Sequence, residues 1–521
     1  MVMRSMETDI AIIGAGAAGC LFAAKLAASG RQVDVFEAGP ARNTDNLISS
    51  QIWARRLKWG GPTMRSDGAP RFAHNFNMGW GTGGAALHHY AQYPRLLERD
   101  FKTASLFGRG LDWPIDYEDL RAHYDAVQME IGIAGDAAQE QHRPPGAPYP
   151  MPPHFAFAGG RLMAQGFQAR GYQVFPTPLA VTSTPYQDRP ACIYDGWCDA
   201  GCPTGALANP LVTYWPSAQK AGARLHAKHD VIQFQLAANN RQIEAALIAT
   251  DRGEIVRVQA RNFVLAAGAV HNARLLLSSP GIDGSALGNR HGLLGSYFGS
   301  HVIANTHALF KQETEPYLGL STGTLMAYDL WQPESGAPFG SVAWGIGPAI
   351  KPNDFMGLAM ARADLFGDAL DAFMRRASHH IGLANGICET AFMRESRIRL
   401  TDSVDHLGRR QAHIAYRADD EADAMWTRAV SNGLDALRAA GAEEVWASDR
   451  PVLAHAMGGT VMGNDPAKAV TDPYGRLFEA PNLVVAGSGL FPAGGSAGPT
   501  FTLLALARRT ALEMIARPET F

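Results

Sequence analysis

The chain has 521 residues, of which 46% are hydrophobic and 18% charged, with a formal net charge of −3. That balance is ordinary for a globular protein of two or more domains and excludes a disordered chain. It also excludes a protein built around a basic nucleic-acid surface, and no run of Lys or Arg marks a membrane-surface patch. Five cysteines make a disulfide framework an unsuitable reading, and 55 glycines beside apolar segments imply many tight turns.

In chain order, the first element is a short buried strand, Asp9–Ile13 (DIAII). The N-terminus shows no cleavage site and no apolar stretch long enough to span a bilayer. The expectation is therefore a cytoplasmic chain without a transmembrane segment. GAGAAG follows the strand, with Gly14, Gly16 and Gly19 in G-x-G-x-x-G spacing. A helix over LFAAKLAASG closes at Gly30, and a second strand ends at Glu37. Gly14 permits the tight turn, Gly16 lets the backbone approach a pyrophosphate, and Gly19 lets helix and strand pack. Free N–H groups at the helix start attract the phosphates, and an acid about 20 residues on can hold ribose hydroxyls. The pattern predicts a dinucleotide site, and the acid favours FAD or NAD over NADP. Cys20 lies in this helix, where packing is its expected role.

A second glycine-rich turn runs from Asn77 to Arg95 (NMGWGTGGAALHHYAQYPR) and carries His88 and His89. HRPPGAPYPMPP, His142–Pro153, reads as an extended linker or a surface loop. CIYDGWCDAGCP, Cys192–Pro203, gathers three of the five cysteines. Its C-x2-D-x2-C-x3-C-P pattern matches the bacterial ferredoxin run at every ligand position but the second, where Asp195 replaces Cys. Three thiolates and a hard carboxylate suit a cluster lacking its fourth iron, a 3Fe–4S centre held by Cys192, Cys198 and Cys202. Zinc on the same thiols with Asp195 or a distant His, and plain structural thiols, remain as alternatives. ARNFVLAAGAVHNARLLLSS (Ala260–Ser279) is a strand, a turn at Gly268 and a helix. His301 and Asn305 open a strand and carry no assigned role, and Cys388 stands alone. HAMGGTVMG (His455–Gly463) precedes a final strand, loop and long helix over Asn482–Ala516.

Taken together, these blocks resemble the glucose–methanol–choline (GMC) oxidoreductases. The segment Leu111–Gly135 and the cysteine segment resemble the sugar- and polyol-dehydrogenase branch. The resemblance implies an α/β fold: a doubly wound FAD-binding (Rossmann-like) domain of discontinuous segments, with a second α+β substrate domain carrying an antiparallel sheet. The expected boundaries are 1–95, 190–300 and 452–521 for the FAD domain, and 96–189 and 301–451 for the substrate domain. It implies FAD contacts at Gly14, Gly16, Gly19, Glu37, Gly81, Gly83, Gly84, Val231, Gly268, Gly487 and Ser488.

By the same resemblance, His455 takes the hydroxyl proton of a sugar, glycoside or polyol while its carbon gives hydride to the flavin. Electrons then leave through the 3Fe–4S centre to a cytochrome. An oxidase using O2, and a flavoprotein with non-redox chemistry, are the rival readings. A small partner subunit carrying an export signal would make the chain periplasmic. One position departs from the family: Gly498 stands where a second active-site His or Asn is usual, just before Pro-Thr, with Ser496 a candidate replacement.

Overall fold

The computed structural model describes residues 4–62, 64–68, 72–74, 76, 78–238, 241–351 and 354–521. Residues 1–3 and Asn77, which begin two of the segments read from sequence, lie outside these.

The first strand is longer than its apolar run suggests, spanning Arg4–Ile13, because its polar half pairs with Ile255–Leu265 beyond the buried core. Its buried half, Ile10–Ile13, sits between parallel neighbours Val33–Glu37 and Ile255–Leu265. Both faces of that half are covered, so the run is continuously apolar rather than alternating. The order continues to Ala480–Val485 and Arg476–Leu477 on one side and to Arg224–Ala227 on the other. An antiparallel hairpin, His229–Leu236 with Ile243–Thr250, attaches to Ile255–Leu265. The helix Ala17–Ala28 is apolar around most of its circumference and packs against Tyr214–Lys220 and Pro499–Ala516, which bury it on the sheet. This is the doubly wound layer expected from the glycine motif.

A second sheet is mostly antiparallel. Its order is Ala73–His74, Val452–Met457, Gly299–Leu309, Ile381–Cys388, Val342–Ile346, Leu325–Asp329 and Phe175–Pro176, and Glu444–Ala447 also pairs with Gly299–Leu309. The helix Ala422–Ala439 covers one face. It comes close because Gly433 leaves room: a methyl there would stand 2.7 Å from the Trp344 ring. The opposite face carries Ile303 and Asn305 on one strand and Leu383, Asn385 and Ile387 on the next, two residues apart as strand geometry requires. These side chains line a cavity between this face and the carboxyl ends of the parallel strands. A small third sheet joins Arg397–Val404, Arg410–Tyr416 and Arg65–Gly68.

The proline-rich stretch is a loop, but it is packed down rather than free. The Gln128 amide donates to Ala147 O and Pro148 O, and the buried Arg95 guanidinium is paired with Asp125, whose carboxylate also accepts from Ala147 N–H. Among the described residues no helix is long and apolar enough to cross a membrane.

Candidate active site

The cavity holds about 760 Å³ and is walled by the glycine turns on one side and the antiparallel sheet on the other. The three glycines of the first turn do different work, and at two of them no other residue fits. Gly14 has φ +99°, and a side chain there would meet Ala266 O at 2.6 Å. A methyl on Gly19 would collide with Gly14 O, so Gly19 sets the closeness of helix and turn. Gly16, by contrast, has no protein atom within 4 Å of where a side chain would stand. The space above it is open to the cavity, as a backbone cradle for a pyrophosphate requires. Gly487 has the same open space.

Glu37 is buried, and its two oxygens collect three backbone N–H groups. Ala15 N–H donates at 3.0 Å, Gly39 N–H at 2.8 Å and Gly81 N–H at 3.0 Å. Its carboxylate thus ties both glycine turns together while still facing the cavity. Gly83 N–H donates to Ala15 O at 2.8 Å, which seats the second turn on the first. Of the residues expected to touch FAD, Gly14, Gly16, Glu37, Gly84, Val231, Gly268, Gly487 and Ser488 line the cavity. Gly19, Gly81 and Gly83 stand behind it and shape the turns. The open cradle, the capped acid and the cavity volume fit a bound dinucleotide.

His455 lies on Val452–Met457, and a bulge turns it. Gly299 pairs with Met457 and His301 with Ala454, so one extra residue is inserted in the His455 strand. His455 takes φ +66°, a left-handed conformation costly for a residue with a Cβ. Two hydroxyls satisfy carbonyls at the bulge: Ser300 Oγ donates to Ala454 O at 2.7 Å, and Ser488 Oγ to Ala456 O at 2.8 Å. The bulge aims the imidazole into the cavity. Burial pulls its pKa down to about 4, so it stays neutral and able to accept a proton at physiological pH.

Sequence reasoning gave His301 no role, yet it is His455's hydrogen-bond partner, with the two Nδ1 atoms 2.9 Å apart. The two residues are 154 positions apart, and only the sheet register joins them. Ser496 is buried away from the cavity wall, whereas Gly498 lines it. A methyl on Gly498 would stand 3.1 Å from Gln92 O. Two polar atoms on the cavity wall, Gln92 Nε2 and Asn385 Oδ1, are buried with no protein partner. Such atoms are costly unless a ligand meets them. His88 also lines the cavity, with its Nε2 unpartnered and its pKa lowered to about 4 by burial and the nearby Lys58. His89 is held by Ala208 O and by Ala91 N–H.

The cysteine segment adjoins this cavity. Cys192, Cys198 and Cys202 pack in one satellite cluster with Leu179, Val181 and Leu320. Left-handed turns at Tyr194, Gly196, Gly201 and Cys202 fold the segment tightly. Tyr194 N–H points at Cys192 Sγ and Leu207 N–H at Cys202 Sγ, each at 3.3 Å, contacts that favour thiolate over thiol. Burial pushes the Cys192 thiol up to about 12 and Cys198 up to about 11, against the hydrogen bonds from Tyr194 and Ser321 that pull them down. Without a cation these thiols stay protonated, and a metal or cluster must displace the protons. Among the described residues no three His, Cys, Asp or Glu side chains are set to hold one ion.

Asp199, between two of these cysteines, reaches the cavity wall. It meets Lys58 Nζ at 2.6 Å and Lys351 Nζ at 3.5 Å. Burial opposes the Lys58 charge, but the Tyr90 hydroxyl and the Asp199 carboxylate outweigh it and hold the ammonium above its ordinary range. The cysteine loop is thereby anchored to the cavity by charge.

Sequence models described as GMC oxidoreductase match residues 162–303 and 393–507, and one described as an NAD(P)-binding Rossmann-like domain matches residues 12–74. The fructose dehydrogenase large subunit of Gluconobacter japonicus is 26% identical, covering 98% of this chain and 98% of its own. The 2-methyl-1,2-propanediol dehydrogenase of Mycolicibacterium austroafricanum is 27% identical, covering 98% and 95%. Among solved structures, pyridoxine 4-oxidase from Mesorbium loti superposes with a TM-score of 0.67 at 18% identity, over 97% of this chain and 99% of that one, a likeness of fold.

Proposed function

We propose, from the premise that this chain belongs to the GMC oxidoreductase family, that it is an FAD-dependent dehydrogenase oxidising a sugar, glycoside or polyol hydroxyl to a carbonyl. The observation that carries this reading is the bulge that turns a neutral His455 imidazole into the cavity bounded by the two glycine turns. The names of the two relatives support a hydroxylated substrate.

FAD bound over Gly14, Gly16 and Glu37 would supply the hydride acceptor. His455 takes the hydroxyl proton, so the O–H bond breaks as an N–H bond forms on the imidazole. Gln92 Nε2 is a donor and Asn385 Oδ1 an acceptor, and both stand free in the cavity. They are placed to orient the alcohol in the absence of a side chain at Gly498. We read Cys192, Cys198 and Cys202 as ligands of a 3Fe–4S centre that passes electrons to a cytochrome. The ligand spacing on one loop and the N–H···S contacts at Cys192 and Cys202 support this reading.

The test is anaerobic purification followed by absorbance, EPR, iron and sulfide assays, and then anaerobic addition of D-fructose, D-gluconate and 2-methyl-1,2-propanediol. Bleaching of the flavin by one of the three, with about three irons per chain, is the expected result. Flavin without iron, together with peroxide release in air, overturns the cluster and makes the chain an oxidase. Failure of all three alcohols to bleach the flavin sinks the substrate class.

A further inference from the structure

We infer that His301 is a positioning residue that fixes the tautomer of His455, leaving Nε2 of His455 as the atom that accepts the substrate proton. The inference rests on His455 as the base. It starts from His301, which is fully buried, with Nε2 2.9 Å from Gly495 O. A carbonyl oxygen can only accept, so Nε2 of His301 carries a hydrogen. Burial and the neighbouring imidazole drive the His301 pKa down to about 3, so the ring is neutral and its Nδ1 holds a lone pair. The Nδ1–Nδ1 hydrogen bond at 2.9 Å can then be donated only by His455. His455 is thus the Nδ1–H form, with the lone pair on Nε2. The opposite tautomer would set two lone pairs against each other at 2.9 Å and would offer the substrate a donor instead of a base.

The surroundings hold this arrangement. The rings are nearly perpendicular, at 89°, with centroids 5.1 Å apart. Gly494 leaves room for His301, since a methyl there would stand 3.3 Å from His301 Nε2. Behind Gly495 lies the Asp100 carboxyl, 2.5 Å from where a Gly495 side chain would begin. Burial, together with the neighbouring Glu389 carboxyl, raises the Asp100 pKa, and burial raises that of Glu389 as well, so the enclosure disfavours negative charge on this face of the pair. When the substrate O–H bond breaks and Nε2–H forms, His455 becomes an imidazolium. Its Nδ1–H then makes a charge-assisted bond to the His301 lone pair, so the same contact stabilises the product of the proton transfer.

The experiment is long-range 1H–15N correlation NMR of the holoenzyme labelled with 15N-histidine, with His455 signals assigned by their loss in His455→Asn. The expected spectrum shows His455 protonated on Nδ1 and bare on Nε2. A wild-type spectrum with His455 protonated on Nε2 overturns the inference, whatever the variants do. His301→Phe keeps a ring but removes the acceptor. It should mix or invert the tautomer and slow flavin bleaching by the active alcohol on the order of 10²-fold, with substrate Kd within about threefold. His301→Asn, whose amide oxygen can accept at the Nδ1 position, should restore the tautomer and much of the rate. Equal rates and tautomers in His301→Phe and His301→Asn also overturn it. The underlying reading fails separately: if His455→Asn bleaches as fast as wild type, His455 is not the base, even where the spectrum shows the inferred tautomer.

Discussion

Replacing Gly16 with Ala and Gly14 with Ala separates cofactor binding from folding within a single turn. At Gly16 the backbone is extended, with φ −84° and ψ −164°, which any residue adopts, and a methyl meets no protein atom within 4 Å. The apo-protein should therefore unfold as wild type. The methyl instead occupies the space where the pyrophosphate would approach. An overpacking penalty of about 1–3 kcal/mol at that contact corresponds to roughly a 5- to 150-fold rise in the Kd for FAD. At Gly14 the methyl costs the folded state twice. The left-handed φ of +99° adds about 1–2 kcal/mol. The 2.6 Å approach to Ala266 O adds a further ~1–3 kcal/mol. Gly14→Ala should thus lose about 2–5 kcal/mol of apo stability by these two terms. Urea unfolding of the deflavinated protein reads the second effect, and flavin-fluorescence titration reads the first. Wild-type FAD affinity in Gly16→Ala would refute the placement of the cofactor over this turn. A destabilised Gly16→Ala apo-protein would refute the open cradle itself.

Three further outcomes follow from the site. Cys198→Ser should drop the iron content from about three per chain to below one by the ligand reading, while Cys20→Ala, buried in the first helix, leaves it unchanged; equal iron in both variants removes the cluster from this segment. Asp199→Asn leaves Lys58 and Lys351 without the carboxylate they share, and should cost on the order of 3 kcal/mol in urea unfolding and speed thiol labelling of Cys198; unchanged unfolding and labelling would show that the anchor is idle. The buried imidazoles of His88, His271 and His455 are held down to about 4, below their ordinary value, so they favour the folded state while neutral. That stability is complete above the ordinary histidine pKa and is lost as pH falls from about 6.5 towards 4, by up to about 1.4 kcal/mol per pH unit for each such group. Urea unfolding at pH 7.5, 6 and 5 checks the sign, and a protein more stable at pH 5 than at 7.5 refutes it.

The dinucleotide half of the site was legible because its chemistry is local. Gly14, Gly16, Gly19 and Glu37 lie within 24 residues, and strand, turn and helix each impose a residue type at a fixed spacing. The grouping of Cys192, Cys198 and Cys202 was legible for the same reason: all three lie on one loop. What pattern reading missed was made by register. His301 reads as an unremarkable strand residue, and its meaning comes from pairing with Ala454 beside a bulge that brings it to His455, 154 residues away. No periodicity within either strand announces that pairing, because an antiparallel register is fixed by the whole sheet. Gln92 and Asn385 were equally hidden. Each is an ordinary amide until burial strips one of its polar atoms of partners.

The departure at Gly498 takes on a physical form in this light. A side chain there would begin 3.1 Å from Gln92 O, so that wall is already close to filled by the Gln92 backbone. Restoring the usual residue through Gly498→Asn would have to displace the Gln92 segment, and with it the hydrogen bond that Thr322 Oγ1 donates to Gln92 Oε1 at 3.3 Å. If Gln92 does the work of the missing side chain, Gly498→Asn should lower the bleaching rate rather than raise it, and Gln92→Leu should lower it too. The double variant should then recover activity relative to Gln92→Leu alone, because the new amide takes over the donor that Gln92 supplied. Additive losses in the double variant would show instead that the two positions are independent and that the alcohol is held elsewhere, with Asn385 the next residue to replace.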